Sequence, residues 1–196
     1  MGAYSPAPIM TPQMNQRVMD EIVLPTVAAL KRAGAPYKGV LFAGLMITAQ
    51  GPQLIEYNVR FGDPECQVLM LRLMSDLVPA LVAARDGQLT NFDLRWYPDA
   101  ALTVVMATKG YPGQYGKGSV IEGLEQAAQI EGVEIFHAGT KADGGKILAS
   151  GGRVLNVCAR GKTVREAQVL RAAKWRLLDC HRWQGRSTAN RGNRGR

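Results

Sequence analysis

Thiol and imidazole chemistry have little to work with in this sequence. Its three cysteines, Cys66, Cys158 and Cys180, are odd in number, widely spaced and in no metal-ligand pattern. That excludes a disulfide framework and a zinc site, and fits ordinary thiols in a reducing cytoplasm. The two histidines, His137 and His181, have no Ser/Asp or Cys partner in a catalytic arrangement, so both are expected to be structural or exposed. No apolar run approaches the roughly 20 residues that span a bilayer, and no charged segment followed by an apolar one marks a secretory leader. Pro6 stands where N-myristoylation after Met1-Gly2 wants Ser or Thr.

Acidic residues are also scarce, and unevenly so. The net charge is +8, but eleven of the Lys and Arg residues lie from Arg160 onward, against only Glu166 and Asp179. The body is nearly neutral, so the high isoelectric point is no sign of a nucleic-acid-binding surface. After Trp183-Gln184 the tail is built only of Arg, Gly, Asn, Ser, Thr and one Ala. It has too little apolar surface to order itself and lacks the interleaved aromatics of a nucleic-acid binder. Residues 175–196 are therefore expected to be a disordered basic tail with no specific nucleic-acid partner. Its abrupt change of composition suggests a shifted reading frame near residue 170.

Turn and cap signals divide the rest. Residues 1–12, with Pro6, Pro8 and Pro12, read as an extended loop. Thr11-Pro12 opens a helix kinked at Pro25 and stopped at Ala33-Gly34. A helix is predicted from Glu65 through Leu73, and another from Ser75 as N-cap to Asp86-Gly87. The polar stretch 87–100 reads as a domain junction. Beyond it, strands are predicted over 101–107, 134–138, 146–149 and 153–159, with a hairpin turn at Asp143-Gly144. Thr163-Val164-Arg165-Glu166 is a capping box for a helix through Ala173. The glycine-rich Lys109–Gly118 fails the phosphate-loop pattern, since Tyr111 and Gly118 stand where Gly and Ser/Thr are required.

The most informative stretch is Ile55-Glu56-Tyr57-Asn58-Val59-Arg60-Phe61-Gly62-Asp63-Pro64-Glu65. It follows an apolar run, Gly39 to Ile47, and a turn at 49–52, which predicts a hairpin. Residues two apart in a strand share a face, about 6–7 Å from one to the next. Glu56, Asn58 and Arg60 then point one way, and Ile55, Tyr57, Val59 and Phe61 point into a core. Glu and Asn are hard oxygen donors suited to Mg²⁺ or Mn²⁺. The Arg fork suits phosphate or carboxylate. The same alternation also describes the solvated face of a half-buried hairpin, and the residues alone leave both readings open.

Glu-x-Asn-x-Arg at the end of a hairpin resembles the metal-binding strand of the ATP-grasp ligases. The longer string to Glu65 is similar to phosphoribosylamine–glycine ligases. So are Met1-Gly2-Ala3-Tyr4-Ser5-Pro6-Ala7-Pro8, Lys109-Gly110-Tyr111-Pro112-Gly113, Phe136-His137-Ala138-Gly139-Thr140-Lys141 and Ser150-Gly151-Gly152-Arg153-Val154-Leu155-Asn156-Val157, in the same order. The resemblance runs from residue 1 to about Gln168. It implies an α+β fold: the distal part of an ATP-grasp domain over 1–88, then a small C-terminal ligase domain over 89–174. It implies Glu56 and Asn58 as ligands of Mg²⁺ or Mn²⁺, Arg60 as the catalytic cation, and Gly62, Asp63 and Pro64 as a substrate-binding turn. The substrates implied are ATP, glycine and 5-phosphoribosylamine, joined through glycyl phosphate to give glycinamide ribonucleotide, ADP and phosphate in purine biosynthesis. Many ATP-grasp enzymes carry another acidic ligand on the preceding strand, and Tyr37 to Gln53 contain no Asp or Glu. Family members carry about as much chain again upstream, so this chain is expected to be a C-terminal half, inactive without its missing partner half. The competing readings are another ATP-grasp carboxylate–amine ligase, or a non-catalytic fragment that binds nucleic acid through its tail.

Overall fold

A computed structural model describes residues 1–178 and 183–184. In chain order, β1 (Gly2–Ser5), α1 (Pro12–Val18) and α2 (Leu24–Arg32) precede the hairpin β2 (Phe42–Thr48) and β3 (Gly51–Asn58). Then come α3 (Glu65–Arg72), α4 (Leu77–Asp86), β4 (Ala100–Thr108), β5 (Ser119–Val120) and α5 (Leu124–Ala128). Strands β6 (Val133–His137), β7 (Thr140–Asp143), β8 (Lys146–Ala149) and β9 (Arg153–Gly161) lead to α6 (Val164–Leu177) and β10 (Trp183–Gln184).

The main sheet is antiparallel, ordered β1-β4-β9-β6, with β10 also pairing β4. β9 is buried almost throughout, and α3 and α6 both pack on β4 and β9. Val154, Leu155, Val157 and Ala159 form the core with Met106, Ala127 and Val133, against Ala167, Leu170 and Trp175 of α6. The second sheet, β5-β8-β7, turns between β7 and β8 at Gly144 and Gly145, both with positive φ, as the Asp143-Gly144 signal implies. The hairpin β2-β3 forms a third, two-stranded sheet.

Most predicted elements form, and the α+β class holds. The corrections have local causes. Residues 1–12 are not wholly a loop, because Gly2–Ser5 zips onto Ala101–Val104 and the Val105 amide donates to the Met1 carbonyl. The kink expected at Pro25 is spread over a π-helical turn, Met19–Val23, which absorbs the missing amide. The N-cap of α4 is Asp76, whose carboxylate accepts from the Val78 amide at 2.9 Å. Ser75, expected as the cap, instead accepts from the Arg95 amide.

The α6 helix passes Ala173 and ends at Leu177, and Leu178 is buried, so the tail does not begin at 175. Lys174, counted with the basic residues beyond Arg160, is only 2% exposed and donates through Nζ to the Val133 carbonyl. Burial lowers its pKa, with the Glu134 carboxylate opposing that shift. Trp183–Gln184 pairs with β4. The rest of the expected disordered tail, with His181 and Cys180, lies outside the described residues.

Candidate metal and phosphate site

The site begins with the register of the hairpin. Gly44 pairs with Glu56 and Phe42 with Asn58, while Leu45 pairs with Leu54, so Ile55 is bulged out of the ladder. A Cβ on Gly44 would stand 3.1 Å from Glu56 Cγ. The glycine thus leaves the Glu56 side chain room over the neighbouring strand. Asn58 Nδ2 donates to Glu56 Oε1 at 3.0 Å, which places both side chains on one face as the spacing predicts. This bond leaves Glu56 Oε2 and Asn58 Oδ1 available as two hard oxygen donors, a set that fits Mg²⁺ or Mn²⁺ with phosphate or water completing the shell. Gly44, opposite Glu56, adds no carboxylate. Among the described residues no group of three His, Cys, Asp or Glu could hold a metal by itself.

Arg60 lies beyond the end of β3, in the bend, and its Nη1 donates to the Phe61 carbonyl at 2.9 Å. The expected row of three is therefore two strand residues and a cation just past them. The apolar row is not a core row: Ile55 is 64% exposed and Val59 72% exposed. Ile55 lies on, and Val59 just past, a hairpin whose sheet has only two strands. Tyr57 is held differently, its hydroxyl reaching Thr26 Oγ1 at 2.8 Å and the Ile22 carbonyl at 3.2 Å.

The Phe61–Pro64 turn leads into α3, with the Cys66 amide donating to the Gly62 carbonyl. Asp63 does not pair with Arg60. Arg153 Nη1 lies 3.1 Å from Asp63 Oδ2 and 3.2 Å from the Asp63 carbonyl, and Arg153 Nε donates to the Tyr111 hydroxyl at 3.1 Å. The Tyr111 hydrogen bond, opposed by partial burial and helped by the Asp63 charge, raises this guanidinium's pKa above its ordinary value. Arg153 thus ties the glycine-rich loop 109–118 to the turn, a role that no sequence spacing announces. Gly152 permits the approach, since a Cβ there would overlap the Tyr111 ring.

Behind the turn lies a cavity of about 380 Å³ between β1, α1, β2 and α3, lined in part by Ser5, Pro6, Asn15, Phe42, Glu65 and Val68. Arg72 fixes one wall. Its Nη1 donates to Ser5 Oγ at 2.6 Å, its Nε to the Asp99 carbonyl at 2.9 Å and its Nη2 to the Tyr97 carbonyl at 3.2 Å. Burial, then the Asp63 charge, raises the Cys66 pKa, and burial pushes Cys158 up to about 11. His137 is exposed, with Nδ1 3.0 Å from Thr140 Oγ1.

A hairpin carrying two oxygen donors, an arginine beyond them and a glycine-rich loop tied across the next turn thus meet at this end of the chain. The biotin carboxylase domain of Hydrogenobacter thermophilus 2-oxoglutarate carboxylase, solved with MgADP, shares this fold with a TM-score of 0.63 at 15% identity, over 94% of this chain and 40% of that one. Two family models match in order: the phosphoribosylglycinamide synthetase ATP-grasp (A) domain over residues 1–66, and the C domain over 101–187. The chain belongs to the phosphoribosylglycinamide synthetase family.

The phosphoribosylamine–glycine ligase of Mesorhizobium japonicum is 65% identical over 168 residues, 86% of this chain but 39% of that protein's length. The crystal structure of phosphoribosylamine–glycine ligase from Thermotoga maritima superposes with a TM-score of 0.79 at 29% identity, covering 94% of this chain and 44% of that one. The chain therefore spans about two fifths of the length of these relatives. The C-domain match runs to residue 187, while the Mesorhizobium japonicum match spans 168 residues.

Proposed function

We propose that this chain carries the metal-phosphate end and the C-terminal domain of an enzyme that joins glycine to 5-phosphoribosylamine at the expense of ATP. The products are glycinamide ribonucleotide, ADP and phosphate. The observation that carries the reading is the Glu56–Asn58 pair, 3.0 Å apart on one strand face and cleared by Gly44. Glu56 and Asn58 would hold Mg²⁺ or Mn²⁺, which would supply charge neutralisation to the ATP phosphates. Arg60 faces the transferred phosphoryl group and the glycyl phosphate that results. Gly62, Asp63 and Pro64 shape the substrate turn, and Arg153 holds that turn against the loop at Tyr111. The reading divides the chain into an ATP-grasp part over 1–88 and a ligase domain over 89–174, supported by the two family matches on either side of that boundary. The upstream half present in the relatives completes the nucleotide cleft, so the isolated chain has no ligase activity.

A chimera tests this: the 168 residues of this chain that match the Mesorhizobium japonicum ligase at 65% identity replace their counterpart in that protein. ADP release is expected to require both glycine and phosphoribosylamine, and Glu56→Gln in the chimera is expected to lower it by about 100-fold or more. Full activity of the Glu56→Gln chimera, or release that follows a different amine, sinks the proposal.

A further inference from the structure

A separate cavity of about 320 Å³ lies beside β6, the last strand of the main sheet, between α5 and the end of α6. It shares no lining residue with the hairpin or with the turn at 61–64. Its walls are partly apolar, through Leu124 and Ile135, and partly charged, through Glu131, Glu134 and Lys174, with His137 at the end of β6.

A helix lysine ordinarily carries its ammonium out to water. Lys174 does the reverse: it is 2% exposed, and its Nζ donates inward to the Val133 carbonyl on the same cavity wall. Every other lysine of the chain is exposed. A carbonyl accepts one N–H and cancels no charge. No ion pair to Lys174 forms among the described residues, and Glu134 acts on it only through space. A buried ammonium without a counter-ion is costly, so the place favours the neutral amine. A neutral primary amine in a partly apolar cavity is a nucleophile for carbonyl carbon. Glu131 and Glu134 on the walls repel an anionic ligand, and Leu124 and Ile135 receive an uncharged carbon chain.

We propose that Lys174 is an imine-forming site for small uncharged aldehydes, reached through the cavity beside β6. The Nζ lone pair adds to the carbonyl carbon and forms the C–N bond. Both amine protons pass to the carbonyl oxygen, which leaves as water while the C=N bond forms. The site stands apart from the ligase reading, since it uses none of the residues assigned there.

The test treats the 196-residue chain near neutral pH with limiting butyraldehyde and cyanoborohydride, which reduces an imine to a stable secondary amine. Peptide mapping by mass spectrometry then reads the modified fraction at each lysine. Lys174 is expected to be modified at least about tenfold faster than the exposed Lys31 and Lys38, the ratio that one unit of amine pKa represents. Glyoxylate, an aldehyde that carries a carboxylate, is expected to show no such preference. In urea, where the cavity is lost, butyraldehyde is expected to modify all three lysines alike. Modification of Lys174 in the folded chain no faster than that of Lys31 and Lys38 overturns the proposal. So does an equal preference with glyoxylate, or a preference that survives unfolding in urea.

Discussion

Removing the Arg72 guanidinium should be the most damaging change that touches no proposed ligand. Arg72→Ala deletes three donated hydrogen bonds, to Ser5 Oγ, the Asp99 carbonyl and the Tyr97 carbonyl. Hydrogen bonds from a charged donor contribute about 1.5–3 kcal/mol each, but members of one network do not add. Water can reach part of the vacated site, since Arg72 is only half-buried. The expected loss is about 3–4 kcal/mol, a large share of the ~5–15 kcal/mol of a typical domain. Arg72→Lys, which keeps the charge but loses the fork, should recover about 1–2 kcal/mol of this. Urea unfolding followed by circular dichroism gives both numbers, and a Ser5→Ala/Arg72→Ala cycle should show coupling of about 1 kcal/mol. An Arg72→Ala loss below about 1 kcal/mol would mean that the bonds joining α3 to β1 and the 97–99 segment are replaced by water at no cost, and the reasoning would be wrong.

Two further outcomes follow from the C-terminal domain. The Cys158 thiol is raised from an ordinary value of 9.0 to about 11 by burial. The buried neutral form therefore stabilises the fold fully below pH 9, and that contribution is lost as pH rises to 11. The loss is about 2–3 kcal/mol. Subtracting the unfolding free energy of Cys158→Ala from that of the parent chain at each pH should isolate this slope, and equal slopes from pH 8.5 to 11 would remove it. Thr163→Ala deletes the N-cap that accepts from the Glu166 amide at 3.1 Å. It should cost about 1 kcal/mol in thermal or urea unfolding; an unchanged midpoint would show that Glu166, which accepts from the Lys162 amide at 2.8 Å, suffices alone.

What could be read from the sequence was what depends on neighbours in sequence. Thr163 and Glu166 meet within one turn, and Glu56 and Asn58 meet because a strand repeats every two residues. The strand at Lys146–Ala149 announced itself through the Asp143-Gly144 turn. What escaped depends on partners far along the chain. Gly2–Ser5 has no strand signal of its own and is extended because β4 lies beside it. Arg153 meets Asp63 across ninety residues, and nothing in the spacing of either motif brings them together. Gly44 did leave a trace: a glycine inside an apolar strand signals a bulge or a close approach, and here it marks both. Ile55 and Val59 were misplaced because alternation says which residues share a face, but not whether anything covers it.

Ser5 lies opposite Ala101 in register. The chain between them, including the hairpin, departs from the strand order of the main sheet and rejoins it at adjacent points, with α3 laid back over β4 and β9 on the way. Exchanging residues 6–99 among relatives would then swap the hairpin end while leaving the strand pairings of β1, β4, β9 and β6 in place, provided the α3 face and Asp63 still match β9.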